Sequence, residues 1–304
     1  MKLEVQNITK TFGEKEVLKG ISFSVEGGKA LGLLGRNGAG KTTTIRILMD
    51  VFHANSGTIL LDGEKFNPHK VQIGYLPEER GLYPKRIILE QMVYLARLRG
   101  VDKKKAVDNS RKWLKRLSVE QYEKSLLETL SKGNQQKVQL AATLVCDPDI
   151  VILDEPFSGL DPVNSQILKD VIRELIAEGK IVIFSSHQMS YVEEFCEDIV
   201  IINGGEVVLD GNLIEIQKEY GKNQLVVSDE VHSREEFRDI LSKELPDCAK
   251  VTGETKEDLI VKLQEGISKK QFFQRLAELD SVEIEHFETY KPSLNDIFVE
   301  KVGE

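Results

Sequence analysis

Strand-like runs and helical stripes of apolar residues alternate through the first two thirds of the chain. An apolar run at 30–34 leads through a glycine-rich turn into a helix, and a second apolar run covers 150–153. Apolar residues then recur at helical spacing over 167–176, Gly179 follows where a helix-ending glycine is expected, and another strand is predicted at 181–185. This βαβ order predicts an α/β fold with a largely parallel sheet.

Two further patterns flank and interrupt this core. Apolar and polar residues alternate around positions 3 and 5 and again from 21 to 25, which predicts a small antiparallel β-subdomain. A charged, helical pattern at about 86–140 predicts a helical subdomain inserted into the core. The first predicted domain therefore spans residues 1–219.

The composition shifts near Tyr220, after which short strands and amphipathic helices alternate. Strands are predicted at 225–227, 249–252, 258–263 and 282–287, and helices at 235–245, 269–279 and 293–301. We expect residues 220–304 to form a small C-terminal α+β domain. Its sequence contains no catalytic motif.

Composition and charge narrow the classes of function. The 304-residue chain is 40% hydrophobic and 30% charged, which is typical of a globular protein. Its formal net charge is -9 and its pI is near 5.3, values that argue against a surface built to grip a nucleic-acid backbone. Nucleic acid is therefore not an expected partner.

The sequence also bears on membrane segments and on cysteine chemistry. It contains neither an apolar leader at its start nor a run of 18 apolar residues, so we expect neither secretion nor a membrane span, while docking on a membrane partner stays open. Cys146, Cys196 and Cys248 lie far apart without a C-x-x-C pair. They are predicted to be buried free thiols rather than disulfide or zinc ligands.

A glycine-rich loop follows the first buried strand. Residues 35–42 match G-x-x-x-x-G-K-[ST], and a chance match has a likelihood of about one percent in a chain of this length. Such a loop points backbone N–H groups and a helix N-terminus at phosphate oxygens. Lys41 is expected to reach the β- and γ-phosphates, and the Thr42 hydroxyl to coordinate Mg²⁺. The residues expected to bind nucleotide here are Gly35, Arg36, Asn37, Gly38, Ala39, Gly40, Lys41, Thr42 and Thr43.

Two acids and a histidine follow later strands. Asp154 and Glu155 come directly after the apolar run at 150–153, so they should emerge beside the phosphates at the carboxyl end of a parallel sheet. Asp154 is placed to hold Mg²⁺, and Glu155 to orient the attacking water. His187 follows the next strand and could contact the γ-phosphate. Taken alone, the acids could be merely solvated, and a lone histidine is more often an ordinary surface or core residue.

The segment L-S-K-G-N-Q-Q-K at residues 130–137 resembles the signature loop of ATP-binding cassette (ABC) proteins. The order of phosphate loop, signature, acids and histidine is similar to that family over residues 1–215. The resemblance implies an α/β P-loop NTPase core of the ABC ATPase type, with Mg²⁺-dependent ATP hydrolysis. It also implies catalytic roles for Glu155 and His187.

The resemblance extends to other positions of the nucleotide site. It implies that Phe12 stacks on adenine and that Val17 packs beside the nucleotide, although an aromatic residue at such a position is often only core packing. Residues 158–161 look like the loop that crosses the interface between two cassettes. The partner would be a second copy of the chain or a related ATPase. The residues that would reach ATP bound to that partner are Ser131, Gly133 and Asn134.

Two features depart from the family pattern. Lys132 and Asn134 stand where the signature usually has glycine and glutamine. Glu78 stands where the family usually has a glutamine that ligates Mg²⁺, although an alternative alignment places Glu79 there. A carboxylate at this position keeps an oxygen for Mg²⁺ and adds negative charge. It could therefore make nucleotide binding more dependent on the metal.

The region from about 221 is similar to the C-terminal extension of ATPase subunits of bacterial ABC exporters of the sodium-extrusion and multidrug type. The implied function is ATP hydrolysis that energises a separate transmembrane permease for export. The permease would dock at the helical subdomain and at residues 78–85, which implies a cytoplasmic protein on the inner face of the membrane. The alternative is a soluble ABC ATPase that acts on ribosomes or DNA. A non-hydrolysing regulatory subunit would require loss of Glu155 or His187.

Overall fold

The computed structural model describes residues 1–79 and 81–303. The strands are β1 Lys2–Phe12, β2 Lys15–Glu26, β3 Ala30–Leu34, β4 Ser56–Leu61, β5 Glu64–Lys65, β6 Ile73–Leu76, β7 Ile150–Asp154, β8 Ile181–Ser185, β9 Asp198–Asn203, β10 Glu206–Asn212, β11 Gln224–Asp229, β12 Ala249–Glu254, β13 Leu259–Leu263 and β14 Ile284–Thr289. The helices are α1 Lys41–Leu48, α2 Ile88–Leu98, α3 Lys103–Arg116, α4 Lys132–Leu144, α5 Pro162–Ala177, α6 Met189–Phe195, α7 Leu213–Tyr220, α8 Arg234–Glu244, α9 Lys269–Ala277 and α10 Leu294–Val302.

A six-stranded sheet in the order β10-β9-β3-β8-β7-β6 forms the centre of the first part of the chain. Strands β9, β3, β8, β7 and β6 are parallel, and β10 closes one edge as the antiparallel partner of β9. Every residue of β3, β7 and β8 is buried, since elements cover both faces of the sheet, and this explains why these strands read as continuous apolar runs. The predicted α/β fold is confirmed.

The predicted antiparallel subdomain is also present. Strands β2, β1, β4 and β5 form a second sheet, with Leu3 paired to Val25 and Val5 paired to Phe23. The buried residues of β1 and β2 share a hydrophobic core with α1 and with one face of the central sheet. Helices α2, α3 and α4 form the predicted helical insert between β6 and β7. The β9–β10 hairpin was not predicted, although Gly204-Gly205 between two apolar runs is a hairpin signal.

The chain divides into two compact units. The first comprises Met1–Leu213 with the chain end from Glu300, and the second comprises Ile214–Val299. In the second unit, β12, β13, β11 and β14 form an antiparallel sheet, and α8 and α9 bury Phe237 and Phe272 against it. Both helices begin with a capping box, in which a serine hydroxyl and the side chain three residues later satisfy backbone N–H groups.

Two smaller findings follow from the described residues. Cys146, Cys196 and Cys248 are free and buried, as the sequence predicts. Burial raises the pKa of each thiol, so these cysteines are poor nucleophiles. Over residues 1–79 and 81–303, no helix is both long enough and apolar enough to cross a bilayer.

Gly179 ends α5 in the left-handed conformation, at φ +80°. Its N–H donates to Ile176 O, and the next N–H donates to Leu175 O, so two carbonyls at the helix end are satisfied. A Cβ atom built on Gly179 would meet nothing within 4 Å. The position therefore selects glycine through its backbone conformation and not through a shortage of space.

We expect Gly179→Ala to lower the free energy of unfolding by about 1 kcal/mol, because alanine is strained in the left-handed region. Gly179→Asn should lower it by less, since asparagine tolerates that region better. Urea denaturation followed by the fluorescence of Trp113, the one tryptophan of the chain, measures both changes. Equal losses for the two variants would contradict the conformational explanation.

Candidate active site

The phosphate loop leaves β3 at Gly35 and enters α1 at Lys41. Gly38, at its tip, has φ +80° and is exposed, and a Cβ atom built on it would meet nothing within 4 Å. The loop is held from behind, since Ala39 N donates to Arg36 O and Gly205 N donates to Ala39 O. The tip of the loop is therefore open to solvent, and the loop leads into the N-terminus of α1. This is the form that the glycine pattern predicts for binding phosphate.

Lys41 is buried, and its ammonium group lies against the loop. Nζ donates to Gly35 O and, at 3.3 Å, to Arg36 O. Burial lowers the pKa of Lys41, and the charges of Asp154, Glu155 and Glu78 oppose that shift. The ammonium group thus stands within the electrostatic field of all three acids. Phosphate oxygens that entered the loop could replace the two carbonyl groups as its partners.

Asp154 is the last residue of β7 and is 8% exposed. Its backbone pairs with Ser185 at the end of β8, and Tyr75 Oη donates to its Oδ2 over 3.4 Å. Burial raises the pKa of Asp154, and the Glu78 charge adds to the shift, whereas the Ser185 hydroxyl and the charge of Lys41 oppose it. Burial, together with the charge of Asp154 and the hydrogen bond to it, raises the pKa of Tyr75 to about 12. Tyr75 is therefore a hydrogen-bond donor to this carboxylate at physiological pH.

Glu155 is fixed by the loop that follows β8. Its Oε1 accepts from the His187 backbone N–H at 2.6 Å, and its Oε2 accepts from Ser186 Oγ at 3.1 Å. Its own N–H donates to Ser185 O, and the residue adopts φ +49°, a strained conformation for a side chain of this size. Burial raises the pKa of Glu155, while the charge of His187 opposes the shift. Strain and burial at one carboxylate are typical of functional sites.

His187 lies at the same edge of the sheet. Its side chain is 51% exposed, and its Nε2 is 3.7 Å from Glu155 Oε1. The ring is thus close enough to interact with the Glu155 charge and open enough to meet a ligand. These residues meet because β3, β8 and β7 are parallel neighbours. The carboxyl ends of the three strands, and the loops that follow them, therefore lie on the same side of the sheet.

Phe12 and Val17, which are predicted to contact the nucleotide, differ in their surroundings. Phe12 is 41% exposed and packs edge-on against Phe52, with ring centroids 5.1 Å apart, while Lys10 Nζ lies 5.0 Å from its ring. Val17 passes beside the phosphate loop, since a Cβ atom on Gly40 would lie 3.4 Å from Val17 O. Val17 is thus close to the loop, whereas the contacts of Phe12 are with β1 and the turn after α1.

The signature segment forms the start of α4. Ser131 is the N-cap, and its Oγ accepts from Asn134 N at 3.4 Å. Gly133 faces α5, where a Cβ atom on it would lie 3.3 Å from Asn164 Nδ2. Asn164 in turn donates to Asp161, the N-cap of α5. Within the chain, the signature thus contacts the segment 158–161 that the family resemblance places at the interface between cassettes.

The sequence reasoning missed Tyr75 and Ser186, which donate to the two acids. Ser186 directly precedes His187, so its place at the end of β8 was available as a signal. The signal for Tyr75 is weaker, because it depends on knowing that β6 is the edge strand beside β7, in the register that pairs Tyr75 with Ile152. Neither donor belongs to a sequence motif.

Comparison with known proteins agrees with this geometry. Residues 18–158 match the family model for ABC transporters, and residues 211–302 match the model for the C-terminal domain of DrrA1-3-like ATP-binding proteins. The chain is 41% identical to YhaQ, an uncharacterized ABC transporter ATP-binding protein of Bacillus subtilis, over 99% of this chain and 98% of that protein. It is 32% identical to the linearmycin resistance ATP-binding protein LnrL of the same species, over 74% of this chain and 73% of that protein.

Solved structures give the same result. The ATP-binding subunit of an ABC transporter superposes with a TM-score of 0.67 at 29% identity, over 73% of this chain and 94% of that chain. The resemblance to ABC proteins and the expected ATPase activity are confirmed. The chain belongs to the ATP-binding subunits of ABC transporters, which bind and hydrolyse ATP to energise a separate permease.

Proposed function

We propose that Glu155 is the catalytic base of this ATPase and that it orients and polarises the water that attacks the γ-phosphate. The observation that carries the proposal is the buried carboxylate held by two donors at the sheet edge beside Lys41. A fixed carboxylate supplies the positioning on which phosphoryl transfer depends. Its raised pKa brings it closer to the range in which a general base is effective. In this proposal, His187, whose Nε2 lies 3.7 Å from Glu155 Oε1, donates a hydrogen bond to the γ-phosphate.

The phosphate loop and the residues beside it bind the nucleotide in this proposal. Backbone N–H groups of the loop and the ammonium group of Lys41 bind the β- and γ-phosphates. Val17 supports the loop from β2, and Phe12, which is 41% exposed, would stack on adenine. Lys10 Nζ lies over the Phe12 ring, so it would have to move if adenine took that face.

The oxygen donors at the site fit Mg²⁺. The metal favours one or two carboxylates together with substrate phosphates. Asp154 and Glu78 lie close enough to Lys41 for their charges to act on it, and Thr42 follows Lys41 in the first turn of α1. The described residues hold no group of three acids, cysteines or histidines that could bind a metal by itself, which suits an ion carried in with the nucleotide. Ser185 Oγ is buried close to the Asp154 carboxylate, whose rise in pKa it opposes, but it makes no hydrogen bond of ordinary geometry among the described residues, so its hydrogen-bonding capacity is not used up within the chain. When bound, Mg²⁺ neutralises charge on the transferring phosphate.

The partners follow from the family and from the placement of the signature. ABC ATP-binding subunits work with a permease and typically dimerise. We infer that Ser131, Gly133 and Asn134 reach ATP held by a second copy or a related ATPase, because Ser131 begins a helix whose N-terminus favours anions. The relative LnrL is named for resistance to linearmycin, and export of a toxic compound is one way to resist it, which supports export as the direction of transport. The chain would then work at the inner face of the membrane, docked through the helical insert and through residues 78–85, of which residue 80 lies outside the described residues.

Glu155→Gln should lower kcat for ATP hydrolysis at least about 100-fold, because the amide cannot accept a proton from the attacking water. ATP affinity should be retained, since the phosphate loop is untouched. Phosphate release and nucleotide binding by the purified chain measure the two effects. Glu178→Gln, which removes an exposed carboxylate at the end of α5, serves as the control and should hydrolyse ATP normally. Unchanged turnover in Glu155→Gln would remove Glu155 from the catalytic role.

The pH profile of hydrolysis should reflect the raised pKa of Glu155. The base works only when ionised, so activity should be lost on the acidic side at a higher pH than an ordinary carboxyl would give. The charge of His187 opposes the shift. His187→Ala should therefore move the acidic limb of its residual activity to still higher pH. A limb that moved to lower pH in this variant would show that His187 does not act on the Glu155 charge.

Tyr75→Phe should raise the Mg²⁺ concentration for half-maximal activity about tenfold, since loss of a group that orients a metal ligand typically has an effect of this size. Binding of ATP without Mg²⁺ should stay unchanged, because Tyr75 contacts Asp154 and not the phosphate loop. Activity titrated with Mg²⁺ at fixed ATP measures the shift. The same titration curve for wild type and variant would exclude a role of Tyr75 in the metal site.

A further inference from the structure

A single buried side chain connects the signature helix to the segment that carries Glu78. Gln139 lies two turns into α4 and is 5% exposed. Its Nε2 donates to Pro77 O at 3.3 Å and to Glu79 O at 3.1 Å. The two carbonyl groups flank Glu78, so one amide holds the backbone on both sides of that residue.

The hydrogen-bond ladder of the sheet does not extend to residues 77–79. The last pair between β6 and β7 joins Leu76 to Leu153, and the chain beyond it leaves the ladder. Pro77 has no N–H group with which to continue the pairing. Thr143, one turn after Gln139, also donates to this region, but its acceptor there is Tyr75 O, inside β6 and already fixed by the sheet. Its other acceptor is Gln139 O, within α4. Gln139 therefore holds the part of the segment that the strand does not.

The packing around the segment is incomplete. An open cleft of about 230 Å³ lies at this place, and the residues that line it include Tyr75, Pro77, Gly81, Gln139, Thr143 and Cys146. Side chains that border a cleft lack packing partners on one side, so they resist displacement less than side chains in a filled core. The two hydrogen bonds of Gln139 consequently contribute more to the position of the segment than they would in a filled core.

Glu78 itself is exposed and acts on the active site through its charge. It raises the pKa of Asp154 and supports the charged form of Lys41. Its distance from these groups is set by the backbone on which it stands. That backbone is attached to α4, whose first turn is the signature segment at Ser131.

We propose that Gln139 is a positioning residue for Glu78, which fixes the segment 77–79 to α4 and makes the place of the Glu78 carboxylate follow the signature helix. The proposal rests on the proposed function, since it takes Glu78 to be part of the metal site. A displacement of α4 moves Glu78 relative to Asp154, while β6 and Tyr75 stay with the sheet. The signature and the metal site of one chain are thereby connected through one amide.

The test replaces Gln139 by methionine, which keeps the length and helix propensity of the side chain and removes both donors. We expect kcat to fall about tenfold, the order of effect that follows a small misplacement of a catalytic group. The half-saturating Mg²⁺ concentration should rise, and ATP affinity without Mg²⁺ should stay within about twofold of wild type, because the phosphate loop is unaffected.

Thr143→Val is the matched control. It removes a buried hydroxyl from the same face of α4 and keeps the shape of the side chain. The carbonyl group that loses this hydrogen bond is that of Tyr75, whose backbone is already held by the sheet. Its kinetics should resemble wild type. Thermal unfolding of both variants measures stability. Equal kinetic losses in the two variants, or a loss in Gln139→Met that merely follows its melting temperature, would overturn the proposal.

A double-mutant cycle tests whether Gln139 acts through Glu78. In the Glu78→Gln background, Gln139→Met should have little further effect on Mg²⁺ dependence, since the charge that it positions is already gone. Additive effects would overturn the proposal. The outcome is separate from that of the proposed function, because Glu155→Gln tests the catalytic base whether or not Gln139 has a role.

Discussion

A buried ammonium group beside buried carboxylates is the constraint on which the active site depends. Lys41, Asp154 and Glu155 are each less than 10% exposed, and burial alone disfavours the charged form of every one of them. Their opposite charges offset part of that cost, and hydrogen bonds to the loop carbonyls, Tyr75 and the loop after β8 offset more. The arrangement is better suited to holding a highly charged ligand than to stabilising the fold.

The central sheet makes this arrangement possible. Strands β3, β7 and β8 are buried on both faces, so the backbone at their carboxyl ends is held firmly by packing. Short loops after such strands place the lysine and the acids with little freedom. The segment after β6 differs, since it is held by side-chain hydrogen bonds from α4 beside an open cleft. The site at the carboxyl ends of the strands therefore has two parts. The residues after β3, β7 and β8 are held rigidly by the sheet, whereas the position of the segment after β6 depends on the helical insert.

The second unit differs from the first in its strand arrangement, its core and the start of its helices. Its four strands are antiparallel, its core lies on the side of α8 and α9, and its helices rely on capping boxes. Its strands and the helices α8, α9 and α10 were predictable from sequence, because alternating apolar positions and serine caps are local signals, whereas α7 was not predicted. The match of residues 211–302 to the C-terminal domain of DrrA1-3-like proteins gives the unit a family.

The sequence by itself determined the elements and the chemistry that is local in the chain. Apolar runs specified β3, β7 and β8, and the glycine pattern with its lysine specified the phosphate loop, because these features depend on neighbours a few residues away. The tertiary structure alone decided which distant groups meet. Tyr75 and Asp154 are 79 residues apart, and Gln139 lies 62 residues from Pro77, so their contacts arise from strand order and helix docking. No local periodicity encodes such contacts, since they form only when separate elements pack into one core.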